Sequence, residues 1–177
     1  MKLDRDRTAL VVVDVQEAFR KAIPDFDDVA TAAAKLVEGA KAMGVPVVVT
    51  EQYPGGLGET VPEVADHLPE GAEPIEKLSF SAAAADGFDL AGRNQALVCG
   101  IEAHVCVNQT VADLLDGVEE VHVAEDAVGS RTADNKRIGL NKMERSGAVL
   151  TSVETALFEL LGGSDAAEFK QVQALVK

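Results

Sequence analysis

The sequence predicts an α/β protein, specifically a Rossmann-like three-layer α/β/α sandwich with a mostly parallel central sheet. Short apolar runs recur along the chain, and each is followed by a segment with apolar residues at helical spacing. The runs are continuous and rich in β-branched residues, as expected of strands that are buried on both faces. Strands that alternate with helices form parallel sheets covered by helices on both sides.

Each element follows from its local pattern. The run TALVVV opens the predicted sheet, and in VPVVVT the proline lies near the start, where a strand tolerates it. Gly44 follows the first helical pattern at the position where a glycine ends a helix. The predicted strands are Thr8–Val13, Val45–Thr50, Ala96–Cys99, Glu120–Ala124 and Ala148–Leu150. The predicted helices are Val29–Met43, Val105–Leu115, Asn135–Ser146, Val153–Leu161 and Glu168–Val176.

The segment Glu51–Asp89 is a long excursion with several prolines and glycines and weaker periodicity. Excursions of this length in compact domains are often functional. We find no repeat and no linker, so one domain over residues 1–177 is expected, which is long enough to bury a substantial core.

Composition narrows the class of partner. The net charge of −14 disfavours nucleic acid and anionic membranes as partners, and no apolar run approaches the length of a membrane span. The N-terminal apolar run is short and has no cleavage site of small residues after it, which is not typical of a secretory signal. We therefore expect a cytoplasmic protein whose two cysteines are free thiols.

Two residues follow predicted strands at the edge where ligands of open parallel sheets bind. Asp14 follows the first strand, and Cys106 lies near the start of the helix after the third strand. Asp14 could instead cap a helix, and Cys106 could be a core thiol. A thiol at a helix N-terminus is nevertheless expected to have a lowered pKa, and a neighbouring carboxylate could accept its proton.

Other chemistries fit the sequence less well. Cys99 and Cys106 do not form a CxxC pair, and Cys99 ends an apolar run typical of a core residue. The glycine-rich stretch GGLG lacks both the dinucleotide fingerprint and the lysine of a phosphate-binding loop. Zinc would need more ligands than the three histidines offer, which are His67, His104 and His122. No metal and no cofactor are expected.

Five motifs, taken together and in order, resemble the isochorismatase-like cysteine hydrolase superfamily. The similarity runs from about Thr8 to the C-terminal FK segment, and it is greatest to the subgroup of isochorismatase domain-containing proteins. The motifs are VVVDVQEAF, VVVTEQYPGGLG, EKLSFSA, LVCGIEAHVCVNQTVADLL and VHVAEDAVGSR.

The resemblance implies an Asp–Lys–Cys triad formed by Asp14, Lys77 and Cys106. It also implies a cis peptide bond between Ile101 and Glu102, in a loop whose backbone amides, those of Ala103 or its neighbours and of Cys106, would hold an oxyanion. An ammonium beside the thiol would favour the thiolate and stabilise a charged intermediate. By motif order, the residues expected to line the substrate pocket are Gln16, Phe19, Tyr53, Phe80, Glu102 and His104.

Two departures from the superfamily limit what the resemblance implies. Nicotinamidases of this superfamily hold a metal with Asp and His after the second strand, where this chain has Gln52 and Pro54. A metal-dependent nicotinamidase is therefore doubtful. True isochorismatases cleave a vinyl ether with the aspartate as acid and need no nucleophilic thiol, so the presence of Cys106 favours acyl chemistry.

Three hypotheses about function remain at this point. The first is hydrolysis of a small amide or related C–N or acyl compound through a thioester. The second is vinyl-ether hydrolysis with Asp14 as acid, which would also need pocket arginines, of which Arg131 lies nearest a strand end. The third is a scaffold protein with little catalysis. Helices rich in Ala and Val and an apolar C-terminal segment predict a homo-oligomer. The substrate expected under the first two hypotheses is a small molecule.

Overall fold

The computed structural model describes all 177 residues and has a six-stranded parallel sheet at its centre. The strands are β1 (Thr8–Val13), β2 (Val47–Gln52), β3 (Ile75–Lys77), β4 (Gln95–Ile101), β5 (Glu120–Gly129) and β6 (Val149–Thr151). Their order across the sheet is β3-β2-β1-β4-β5-β6, and every neighbouring pair is parallel. The predicted fold class is confirmed.

Seven α-helices surround the sheet. They are α1 (Phe26–Ala42), α2 (Pro54–Leu57), α3 (Pro62–Ala65), α4 (Cys106–Leu115), α5 (Ala133–Arg145), α6 (Val153–Leu161) and α7 (Phe169–Val176). A 3-10 turn, Glu17–Lys21, links β1 to α1. Side-chain caps from Thr132 and Ser152 begin α5 and α6. No helix combines the length and the apolar character needed to cross a membrane.

Alternate residues of the central strands supply two separate hydrophobic cores. In β1, Leu10 and Val12 face a cluster built with α1 and α6. Val11 and Val13 face the second cluster, which contains Cys106 and Met143 from α4 and α5. The strand is fully buried because both of its faces are covered, which explains its unbroken apolar sequence.

The observed elements differ from the predicted ones mainly at the functional edge of the sheet. The long excursion contains β3, α2 and α3, none of which was predicted, because elements of three or four residues carry no readable periodicity. Both β4 and β5 extend further than predicted, β5 as far as Gly129. These extensions lie at the carboxyl ends of the strands.

Candidate active site

The site lies where the strand order reverses. From β1 the chain builds β2 and β3 on one side, and it then returns to place β4 on the other side of β1. Ligands of open parallel sheets bind at the carboxyl ends of the two strands that flank such a switch point. Asp14 directly follows β1, and the loop after β4 leads into α4 at Cys106.

Two glycines bring this loop close to its neighbours. Gly100 has a φ of +124°, and a Cβ there would lie 2.0 Å from the carbonyl oxygen of Val13. A Cβ on Gly139, in α5, would lie 2.7 Å from the carbonyl oxygen of Ala103. Only glycine allows both approaches. The loop after β4 is therefore held between the end of β1 and α5.

Asp14 has a fully buried carboxylate with partners on both oxygens. Its φ of +52° is left-handed, a conformation that aspartate tolerates better than most residues, and it turns the chain sharply at the end of β1. Oδ1 accepts a hydrogen bond from Thr50 Oγ1 at 2.8 Å, and Oδ2 accepts one from Lys77 Nζ at 2.7 Å. Sequence reasoning missed Thr50, whose only signal is a polar residue near the end of an apolar strand.

Lys77 reaches Asp14 across the end of β2. Lys77 ends β3, where it pairs with Gln52 of β2. Because β3 is two strands away from β1, the backbone of Lys77 lies about 9.5 Å from β1, and an extended lysine and an aspartate together can span that distance. Nζ also lies 2.9 Å from Gln52 Oε1 and donates to the backbone oxygens of Ser79 and Phe80. The side chain is 1% exposed. These four acceptors use all three of its protons, so Lys77 has no proton free for a substrate.

Cys106 begins α4 and is 5% exposed. The pKa of its thiol is raised to about 12, first by burial and then by the charge of Asp14, whose effect exceeds the lowering by Lys77. The prediction of a lowered pKa is therefore wrong. The ammonium of Lys77 is already neutralised by Asp14, and the apolar surroundings favour the neutral thiol.

The loop between β4 and α4 partly matches its predicted geometry. The peptide bond between Ile101 and Glu102 is cis. The N–H of Ala103 donates to the carbonyl of Gly129 at 2.8 Å, so Ala103 itself is not available to an oxyanion, whereas the N–H of its neighbour His104 has no partner within the chain. The N–H of Cys106 has no partner within the helix because Cys106 is its first residue. Both remain available as backbone donors near the thiol.

The predicted pocket residues do not share one surface. Gln16 is fully buried, and its amide holds the chain near Tyr53 by accepting from Gln52 N and donating to the carbonyls of Gln52 and Gly58. Both of its N–H donors are used and the side chain is sealed from solvent, so it is not exposed to a substrate as predicted. Phe19 is half-buried and packs against the α1 face of the core.

Tyr53 and Phe80 are exposed, by 57% and 51% respectively. Tyr53 lines a surface cavity of 610 Å³ beside Lys77, whereas neither Asp14 nor Cys106 lines it. His104 is half-buried, and its Nδ1 lies 3.1 Å from the hydroxyl of Ser130, the residue that follows β5. The surface cavity beside Tyr53 therefore does not reach the nucleophile candidate.

Sequence reasoning placed Glu102 and Arg131 near the site but missed that they form a pair. Glu102 Oε2 accepts hydrogen bonds from both the backbone N–H and Nε of Arg131, each at 3.0 Å. The Glu102 side chain is 7% exposed and that of Arg131 is 58% exposed. The signal was available, since both residues follow neighbouring strands at their carboxyl ends.

No group of three or more His, Cys, Asp or Glu side chains has a geometry suited to a metal ion. Gln52, which stands where nicotinamidases have a ligand, is engaged instead as an acceptor for Lys77. What the site does contain is a buried carboxylate placed between an ammonium and a thiol.

Comparison with known proteins gives a consistent result. Residues 8–155 match the family described as the isochorismatase domain. Isochorismatase domain-containing protein 2 of Homo sapiens is 40% identical over 96% of this chain and 83% of its own length. The secreted isochorismatase effector Isc1 of Phytophthora sojae is also 40% identical, over 96% of this chain and 84% of its own.

A solved structure extends the likeness to three dimensions. The MAR1 ribonuclease of Caenorhabditis elegans superposes with a TM-score of 0.94 at 38% sequence identity, covering 99% of this chain and 92% of that one. The matched region contains every residue of the Asp14 site. The chain therefore belongs to the isochorismatase family of hydrolases.

Proposed function

We propose that this protein is a cysteine-dependent hydrolase of a small amide or related C–N or acyl compound, acting through a thioester acyl-enzyme. One observation carries the proposal. The buried Asp14 carboxylate accepts from Lys77 Nζ at 2.7 Å, and its charge is close enough to the Cys106 thiol to raise the pKa of that thiol. A nucleophile near a base, with the base oriented by a third group, supplies the parts that covalent catalysis needs.

The acylation half-reaction uses the raised pKa of Cys106. Because the resting thiol keeps its proton, attack on the substrate carbonyl is coupled to transfer of that proton to Asp14. The N–H of Cys106 stabilises the oxyanion of the tetrahedral intermediate. Asp14 then gives the proton to the leaving amine as the C–N bond breaks, and this leaves a thioester on Sγ.

Deacylation reverses these roles. Asp14 takes a proton from water, the hydroxide attacks the thioester, and the proton returns to the departing thiolate. Lys77 acts through Asp14, since all of its protons are engaged within the chain. Its role is to hold the carboxylate in place.

Access favours a small substrate. The 5% exposure of Cys106 and the full burial of Asp14 leave room for a compact acyl group and not for a polymer. Vinyl-ether hydrolysis, the second hypothesis, fits less well. Asp14 accepts from Thr50 and Lys77 on its two oxygens, so it holds no proton directed at a substrate, and no unpaired cation lies inside the site to hold a dianionic substrate.

Ribonuclease activity is a second candidate, because the C. elegans structure carries that name and is 38% identical. Two features oppose it here. The net charge of −14 repels RNA phosphates, and the lysine of the site is fully engaged within the chain. We therefore expect no cleavage of RNA.

The test is a substrate panel run on purified protein and on Cys106→Ala. The panel contains nicotinamide, N-carbamoyl amides, hydroxamates, isochorismate and a single-stranded RNA. The expected result is turnover of one C–N class that Cys106→Ala abolishes while its circular dichroism spectrum is unchanged. Cleavage of isochorismate or RNA that survives Cys106→Ala would refute the proposal, and absence of turnover with an unreactive thiol would favour the scaffold hypothesis.

Self-association and a cytoplasmic location remain predictions. Three large apolar side chains at the β3 edge, Tyr53, Leu78 and Phe80, are more than half exposed, which is typical of a surface covered by another chain. We expect at least a dimer by light scattering at micromolar concentration, and a monomer would contradict this. One relative is named as a secreted effector, so location needs its own measurement.

A further inference from the structure

One carboxylate oxygen beside the nucleophile has no partner within the chain. Both hydrogen bonds from Arg131 to Glu102 go to Oε2, and Oε1 accepts none. Oε1 is not sealed from solvent, although the side chain as a whole is only 7% exposed. A charged oxygen held this way is available to a molecule that enters the site.

The backbone fixes Glu102 next to Cys106. The carbonyl of Glu102 accepts from the N–H groups of Val105 and Val107, so the residue is bound to the first turn of α4. The negative charge of Glu102 is near enough to raise the pKa of the Cys106 thiol. The side chain that carries the free oxygen is therefore close to the nucleophile candidate.

Arg131 is the one cation paired with this charge, and it binds the other oxygen, Oε2. Lys77 is fully engaged with Asp14, Gln52 and two carbonyls. Arg131 donates its Nε to Glu102, and its side chain is 58% exposed, so the rest of its guanidinium lies at the rim where water screens it. An entering group thus meets the unpartnered Oε1 of Glu102, which is an acceptor that needs a donor.

We propose that Glu102 is a specificity residue whose Oε1 accepts an N–H of the substrate, so that the site takes neutral or cationic acyl compounds with an N–H beside the scissile carbonyl and rejects carboxylates there. Primary amides and carbamoyl groups have this chemistry. The inference rests on the proposed function, because it assumes that Cys106 is the nucleophile. Beyond that function, it specifies that the substrate is not an anion and that it carries an N–H donor beside the scissile carbonyl.

The pair of reagents iodoacetamide and iodoacetate tests the proposal without knowledge of the natural substrate. Both alkylate a thiol in the same way: the Sγ–C bond forms, iodide leaves, and the thiol proton passes to Asp14 or to solvent. They differ in that one carries an amide N–H and the other a carboxylate. Peptide mass spectrometry gives the rate at Cys106 separately from the rate at Cys99.

The measured quantity is the ratio of the iodoacetamide rate to the iodoacetate rate at Cys106, divided by the same ratio in the urea-unfolded chain. We expect this normalised ratio to be roughly tenfold or more in the native protein. Glu102→Gln should bring it to within about threefold of unity. Glu154→Gln removes an equal charge from α6, on the opposite face of the sheet, and should leave the ratio unchanged.

Arg131→Gln supplies a second variant at an exposed position, and it keeps the backbone N–H that donates to Glu102. It leaves the charge of Glu102 without its partner, so the ratio should rise. A ratio in Glu102→Gln equal to that in Glu154→Gln, or a fall in Arg131→Gln, would overturn the inference while leaving the nucleophile intact. If native Cys106 reacts no faster than Cys99 with either reagent, the proposed function fails and the inference fails with it.

Discussion

The two cysteines of this chain lie seven residues apart and have similar pKa values for different reasons. Burial raises the pKa of each thiol to about 12. Cys99 lies in the core cluster on the α1 face, where Asp126 contributes the only further effect on its pKa. Cys106 lies in the cluster on the other face and has Asp14, Lys77 and Glu102 around it.

This difference shows that a nucleophile can be recognised by the charged groups around it rather than by the pKa of its resting thiol. Both thiols are neutral at pH 7, so neither is a stored thiolate. Only Cys106 has a carboxylate held by a lysine, Asp14, near enough to change its pKa, and we propose that this carboxylate takes the thiol proton during attack. Four changes can break or sharpen this contrast.

The largest expected effect separates the two thiols by activity. Cys106→Ala should lower kcat by at least about a thousandfold on any substrate of the proposed class, because no covalent intermediate can form. Cys99→Ala should change kcat less than about twofold, since Cys99 is on the opposite face of the sheet. Steady-state kinetics on both variants measures the contrast. Equal losses would mean that the thiols act through packing alone.

Asp14→Asn should reduce kcat by about a hundredfold to ten-thousandfold, because the amide cannot take the thiol proton. It should also lower the pKa of Cys106, since the Asp14 charge and its hydrogen bond both raise that pKa in the wild type. The rate of iodoacetamide modification against pH measures the shift, and Cys99 is the internal control. A raised or unchanged pKa at Cys106 would contradict the assigned contact.

Lys77→Met should act on Cys106 in the opposite direction and should also destabilise the fold. Removing the ammonium leaves Asp14 buried with Thr50 as its remaining side-chain donor, and breaking a buried ion pair costs about 3 to 5 kcal/mol. The pKa of Cys106 should rise further, because Lys77 lowers it in the wild type. Urea unfolding gives the free energy. A loss below about 1 kcal/mol would indicate that the ion pair is not buried in solution.

The contrast between the thiols also marks how far sequence could go. The parallel fold was readable because each central strand is an unbroken apolar run and each helix has a stripe. The positions of Asp14 and Cys106 followed from the rule that ligands bind at carboxyl ends of strands. The core position of Cys99 followed from its apolar neighbours, and the structure confirms its burial.

The features of the site that the sequence could not predict depend on contacts between segments that are distant in the chain. Lys77 reaches Asp14 only because β3, a strand of three residues, is at the edge of the sheet in register with Gln52. The hydrogen bond of Ala103 to Gly129 needs the extension of β5, which no local pattern predicts. The sign of the pKa shift at Cys106 needed its burial and its distance from a carboxylate. Neither quantity is a property of the residues near it in sequence.

The smallest expected effect concerns the stability of Cys99→Ala. Removing a buried sulfur leaves a small cavity, which costs about 1 to 2 kcal/mol near neutral pH. The dependence on pH is more specific. The folded thiol has a raised pKa, about 12 against 9.0, so above pH 9 the unfolded chain releases a proton that the folded chain keeps. Stability therefore falls with pH in that window.

Each thiol with such a shift contributes a slope of about −1.4 kcal/mol per pH unit between the two pKa values. Cys99→Ala removes one of these slopes, so its stability should approach that of the wild type as the pH rises above 9 and exceed it above roughly pH 10.5. Urea titrations at pH 8, 9.5 and 10.5 measure the difference, and Cys106→Ala is the matched comparison. A gap between Cys99→Ala and wild type that is constant with pH would show that Cys99 ionises as freely in the folded chain as in the unfolded one.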